Sequence, residues 1–210
     1  MDYYAVNDNI AATITGMTDR PYHHGHLRDA LLAEAERTLR EQGVEQLSLR
    51  DLARQAGVSH AAPRRHFADR QALLDALAGA GFARLADEVA AAIKDAGPDF
   101  RARLRATGAA YVRFATEDTA LMELMFAAKN ASASGEVAEG AGRLFTIVGE
   151  LIREGQLTDQ LPPGDPERLR LLFMATARGI AGLAAPGQPA AGQADGLLDG
   201  AVALFTQNAR

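Results

Sequence analysis

The sequence predicts an all-α protein: a small three-helix head, a long linking helix and a helical body. Three observations carry that expectation. Nearly half of the 210 residues (48%) are hydrophobic, with Ala and Leu dominant. The eight prolines are confined to a few places, as helices require. Apolar residues also recur at i, i+3, i+4 and i+7 between Gly, Pro, Ser and Asp positions that suit stops and caps.

Residues 1–20 show no helical periodicity and are expected to form a flexible arm. A first helix over about 25–41 turns Leu27, Ala30, Leu31, Ala35 and Leu39 inward, and Gly43 ends it. Val44 and Leu47 pack the connection to a second helix over about 48–56, whose inner face is Leu49, Leu52, Ala53 and Ala56. Ser48 is placed to cap it, with Asp51 three residues on, a capping box with Asp in place of Glu. Gly57 tolerates the left-handed backbone that closes such a helix, and Ser59 is expected to cap a third. Pro63 falls near the start of that third helix, where a missing N–H is tolerated.

Asp69 then caps a long helix over about 70–94, with Leu73, Leu74, Leu77, Phe82 and Leu85 inward and Ala96-Gly97-Pro98 closing it. Five further helices are expected at about 100–116, 119–129, 136–154, 165–184 and 193–207. The breaks fall at Asp118, 130–135, 161–164 and 186–192. The last helix is apolar on more than one stripe, through Leu197, Leu198, Ala201, Val202, Leu204 and Phe205. Such a face either packs within the chain or meets a second copy in a four-helix bundle across a two-fold axis. Three segments result: an arm over 1–20, a head over 21–69 and a body over 70–210.

Function is concentrated at 47–67, LSLRDLARQAGVSHAAPRRHF, which reads as a helix-turn-helix. Its second helix carries His60, Arg64, Arg65 and His66, leaving little apolar surface beyond Val58, Ala61, Ala62 and Phe67. A short cationic helix beside a tight turn suits insertion into a DNA major groove. The net charge is −5, yet residues 20–70 hold nine Arg and seven acids, while 71–210 hold thirteen basic residues and seventeen acids. A mildly basic head on an acidic body suits site-specific binding rather than general coating of nucleic acid. The groove-facing set is read as His60, Ala61, Ala62, Arg64 and Arg65. Ser48 and Ser59 offer hydroxyls and helix N-terminal N–H groups to phosphates. Arg64 suits either a phosphate or the O6 and N7 of guanine.

Other classes fit poorly. Cysteine is absent, which excludes disulfides, thiolate zinc sites and cysteine nucleophiles. His23, His24 and His26 have a spacing too unspecific to define a metal site, and neither metal nor cofactor is expected. Gly135, Gly140 and Gly142 lack the spacing and preceding strand of a phosphate loop. Ser59, His60, His66 and Asp69 lack the framework of a catalytic triad. No apolar run approaches the ~20 residues of a membrane span. A soluble, cytoplasmic, non-enzymatic protein is expected.

The stretch 22–77 resembles the TetR family of transcriptional regulators. The likeness is carried by YHHGHLRDALL and by the Ala53–Ser59 turn, then His66-Phe67, Asp69, Arg70 and Leu73-Leu74. The body is similar to one TetR subgroup through Ala110-Tyr111-Val112-Arg113-Phe114-Ala115 and Leu124-Met125-Phe126. Where that subgroup shows Trp-x-x-x-His-Gly, this chain has Met174 and Arg178-Gly179. Where the family usually has an aromatic in the recognition helix, it has Arg64. The resemblance implies a homodimer on a palindromic double-stranded operator, released by a small-molecule effector. It also implies backbone contacts by His66 and Arg70, although for His66 local packing stays open. The implied effector pocket, in a ligand-binding and dimerisation body, would draw on Tyr111, Phe114, Met122, Met125, Phe126, Phe145 and Met174, with Thr107, Arg113 and Arg178 as polar anchors. A dimeric small-molecule carrier or protein-binding adaptor is the alternative.

Overall fold

The computed structural model describes residues 24–130 and 135–207. The expected arm and the side chains of His23, His24 and His26 lie outside that description. Among the described residues the chain forms eight α-helices and two 3-10 turns, with no strand. They are α1 (His24–Gln42), α2 (Leu49–Gln55), α3 (Arg70–Asp95), α4 (Phe100–Glu117), α5 (Thr119–Asn130), α6 (Gly135–Leu157), α7 (Pro166–Ala184) and α8 (Ala194–Thr206). The expected all-α architecture is found, and most helix ends fall within two residues of the positions read from periodicity.

Aspartates set three of the helix starts. Asp69, Asp99 and Asp165 each accept from a backbone N–H of the following turn, at 2.8, 2.9 and 3.0 Å. Each satisfies one of the donors that a helix N-terminus leaves without an internal partner. In the head, Gly57 closes α2 at φ +67°, a conformation that side chains with a Cβ resist.

Two elements differ from their expected form. The segment after Gly57 is not a regular α-helix but a pair of tight turns ending in a 3-10 turn at Pro63–Arg65. An α-helix over 59–66 needs the N–H of residue 63 to reach the Ser59 carbonyl, and proline has none. The Ser59 carbonyl instead accepts from Ala62 at 2.9 Å, a tighter i→i+3 bond. Its carbonyl, rather than a capping hydroxyl, therefore starts the segment. The second difference is the end of α6, which passes through Gly155 to Leu157. Gly155 is a packing position: a Cβ there would overlap the Phe100 ring and approach Leu161 at 2.8 Å.

The body is built around α3, which packs along α6, α4 and α5, while α4 carries α7 and α8 on its other side. Leu73, Leu77, Phe82, Leu85, Leu104, Met125, Leu144 and Ile152 are fully buried at the centre. The α3–α6 crossing is made at glycines. A Cβ on Gly140 would stand 2.8 Å from the Gly79 carbonyl oxygen and 2.9 Å from the Phe82 Cβ. No described helix is long and apolar enough to cross a membrane.

Candidate DNA-binding head and body groove

The head starts from a capped α2. The Ser48 hydroxyl accepts from the Asp51 N–H at 3.1 Å and donates to the Asp51 carboxylate at 2.6 Å. The reciprocal arm of the expected capping box thus closes on the hydroxyl itself. The Asp51 carboxyl is held below its usual range by that hydroxyl first, then by Arg54 and Arg50. Leu52, Ala53, Pro63 and Phe67 turn inward, and the Arg28 guanidinium of α1 lies 5.5 Å from the centre of the Phe67 ring. These contacts anchor the turn segment at both ends.

What remains outside is cationic. His60, Ala61, Arg64 and Arg65 are exposed, whereas Ala62 and His66 are half-buried. The His66 ring stands 6.4 Å from that of Phe67 between centres, tilted by 55°. Arg70 is tied inward: its Nε donates to the Leu47 carbonyl at 2.9 Å and its Nη2 to the Val44 carbonyl at 2.6 Å. Its fork clamps the start of α3 to the connection between α1 and α2. Two cations that sequence reading passed over, Arg50 and Arg54, flank His60 across a shallow depression between α2 and the turn segment. Their i, i+4 spacing on the outer face of α2 was the signal. Among the described residues, Arg50, Arg64 and Arg65 make no ion pair, while Arg28, Arg37, Arg40 and Arg54 all do.

The head is fastened to the body by charge. Arg28 of α1 holds the Glu136 carboxylate of α6 through bonds of 2.7 Å to each oxygen. At the other end of α1, Arg40 and Glu36 close a ring with Arg84 of α3 and Asp118 at the α4–α5 corner. Its bonds are Arg40–Asp118 (2.6 Å), Arg84–Asp118 (2.6 Å), Arg84–Glu36 (2.6 Å) and Arg40–Glu36 (2.8 Å).

On the body, Tyr111, Met122, Phe126 and Arg178 come together around a groove of about 160 Å³ between α4, α5 and α7. Ala115, Thr119 and Ala181 complete its small-residue wall. Burial pushes the Tyr111 phenol up to about 12, with Arg178 acting against the shift. The Arg178 guanidinium stacks 3.8 Å over the Phe126 ring. The other expected members stand elsewhere. Thr107 is buried and donates to the Arg103 carbonyl, and Phe114 lies under the Arg84 guanidinium. Met125 fills the space beside Gly81, and Met174 packs half-buried against the core. Arg113 pairs with Glu88 at 3.2 Å. Phe145 lies under two cations, Lys129 and Arg170. No group of His, Asp and Glu capable of holding a metal forms among the described residues.

Comparison with known proteins bears on both halves. Residues 31–77 match the model of bacterial regulatory proteins of the tetR family, and residues 104–205 match the model of the tetracyclin repressor-like C-terminal domain. A solved protein of unknown function from Rhodococcus sp. RHA1 is 44% identical, with a TM-score of 0.83, covering 91% of this chain and all of that one. A putative TetR-family transcriptional regulator from Rhodococcus sp. shares 20% identity at a TM-score of 0.69, over 87% of this chain and 99% of that one. The protein AibR, solved with isovaleryl coenzyme A and operator DNA, shares 18% identity at 0.65, over the same fractions. No curated protein sequence matches the chain.

Proposed function

The chain belongs to the TetR family of bacterial regulatory proteins, whose members are DNA-binding transcriptional regulators, and from that premise we propose a homodimeric repressor released from its operator by a small apolar or aromatic effector. The head over 21–69 would bind DNA, and the body over 70–210 would hold the effector and the dimer contact. The observation that carries the reading is the contrast among the head's arginines. Arg64 and Arg65 stand exposed beside the Gly57 turn and without an ion pair among the described residues, whereas Arg28, Arg37 and Arg40, and Arg70 just beyond the head, are engaged within the protein. Exposed cations without carboxylate partners are suited to phosphates and to guanine edges.

Dimerisation is supported by α7 and α8. Leu171, Leu172, Leu183 and Leu204 are 57%, 53%, 49% and 71% exposed, while Phe173, Ile180, Leu198 and Val202 of the same two helices are buried. An apolar second face of this kind suits a four-helix bundle between two copies. Two heads on such a dimer must stand about one DNA turn apart, ~34–36 Å, to enter successive major grooves. An effector that favours a different spacing releases DNA, and by linkage DNA weakens the effector equally. AibR, with both an acyl-coenzyme A and operator DNA in its structure, supports the use of this fold for the two ligands together.

The test is selection from a random duplex pool at fixed salt with the full chain. The expected result is a palindrome with half-sites in successive grooves. The double variant Arg64→Ala, Arg65→Ala should lose at least about 30-fold in affinity, from ~1–3 kcal/mol per contact, and keep its helical content. Weak binding without enrichment, equal in the variant, would favour a ligand carrier or adaptor instead.

A further inference from the structure

We propose that Lys129, Arg170 and Arg178 form an anion subsite at the edge of the body groove, and that the effector is therefore a small amphipathic anion, a carboxylate or phosphate ester with a short apolar tail. The inference rests on the body being the effector-binding module, and it adds the chemical class of the ligand.

The three cations come from neighbouring helices and converge on two rings. Lys129, in the last turn of α5, places its ammonium 3.9 Å from the centre of the Phe145 ring of α6. Arg170 of α7 approaches the same ring at 4.7 Å. Arg178, two helical turns further along the same face of α7, covers Phe126 and lines the groove. Stacking on aromatic faces covers Lys129 and Arg170 in part, leaves Arg178 exposed, and supplies only part of a counter-charge.

Their compensation by acids is incomplete. Lys129 and Arg178 make no ion pair among the described residues, and Arg170 is paired only with Glu167 on its own helix. Arg170 Nη1 is buried without any acceptor. A buried guanidinium N–H left unmatched is costly, so the Glu167 carboxylate answers only part of the Arg170 fork. Glu123, the carboxylate that lines the groove, is exposed and pairs with none of the three. The Lys129 ammonium is pushed below its ordinary range, first by burial, then by Arg170 and Arg178, with no acid offsetting them. An anion placed beside these cations would relieve that repulsion.

The adjoining groove limits what the anion carries. At about 160 Å³ it is smaller than the ~300–1,000 Å³ of drug-sized sites, so the apolar part is a short chain or a single ring. Tyr111, Met122 and Phe126 supply its wall.

The experiment is calorimetric titration of the full chain with octanoate, octyl phosphate and octanol, which share a tail and differ in the head group. Octanoate, octyl phosphate or both should bind at least tenfold more tightly than octanol, and the stronger of the two identifies the head group. Lys129→Met should weaken that anion at least tenfold and leave octanol unchanged, and Lys129→Arg should restore it. Equal binding of octanol, an unaffected Lys129→Met, or no binding by any of the three overturns the proposal. Recovery of a palindromic operator in the duplex selection would, in that case, leave the regulator reading standing.

Discussion

Arg64 and Arg70 are close in sequence and opposite in circumstance. The Arg64 guanidinium has no described partner, while that of Arg70 is closed over the Val44 and Leu47 carbonyls. Arg64 reads as a DNA contact from its place in the cationic segment and Arg70 from the resemblance alone, and neither reveals where a long flexible side chain comes to rest. Carbonyl positions in a turn depend on the folded head, so the Arg70 clamp becomes legible only in three dimensions. The expected consequence is a separation of effects. Arg70→Ala should lower stability by about 1.5–3 kcal/mol, the usual worth of hydrogen bonds to a charged group, measured by thermal or urea unfolding. The salt dependence of operator binding, measured below the transition, should stay as in the parent. A slope reduced by about one would instead return Arg70 to the phosphate-contacting set.

At the scale of helices, periodicity located the eight α-helices, ended α6 about three residues early and missed the effect of proline on the turn segment. The expected end of α6 at about 154 falls short of Leu157, because Gly155 continues the helix where Phe100 and Leu161 leave no room for a side chain. Pro63 reads as tolerable in a first turn, yet its missing N–H diverts the Ser59 carbonyl and tightens the segment into 3-10 geometry. The first outcome turns on distant neighbours, which a single-chain pattern does not contain, whereas the second is local, the missing N–H prevailing over the helical pattern around it. The same helix α6 offers a paired test. Gly140→Ala would drive a methyl against the Gly79 carbonyl and the Phe82 Cβ, and backbone cannot rotate aside as a side-chain tip does. Overpacking of about 1–3 kcal/mol should exceed the helix-propensity gain of up to about 1 kcal/mol, so this variant should melt lower. Gly142, exposed on the same helix with open space beyond it, should gain about 0.5–1 kcal/mol on substitution by Ala. If both variants shift the transition alike, the close crossing of α3 and α6 is refuted.

For the whole molecule, the wide apolar arc of α8 in the sequence is divided in the fold: Leu198 and Val202 are buried, and Leu204 stands exposed. The groove was legible only in part. Tyr111, Met122, Phe126 and Arg178 converge on it, but Thr107, Phe114 and Met125 carry the same helical spacing into the core. Which face of α4 or α5 meets α7 depends on how the helices cross, and residue type alone does not encode that. Leu204→Glu should leave the protomer folded, since the side chain is 71% exposed, and should shift sedimentation from dimer to monomer with loss of high-affinity palindrome binding. A dimer that survives the change would move the interface away from α8.

The glycine crossing also gives α6 a mechanical character. Helices rise about 1.5 Å per residue, so Phe145 stands about 7.5 Å beyond Gly140 and Glu136 about 6 Å before it. Phe145 underlies the cations of the body, and Glu136 is held by Arg28, which rests on the Phe67 ring at the end of the cationic turn segment. Any tilt of α6 about Gly140 therefore carries its two ends in opposite directions by comparable distances, as an even-armed seesaw does. A displacement of an ångström at the ring would reach the head at nearly full size.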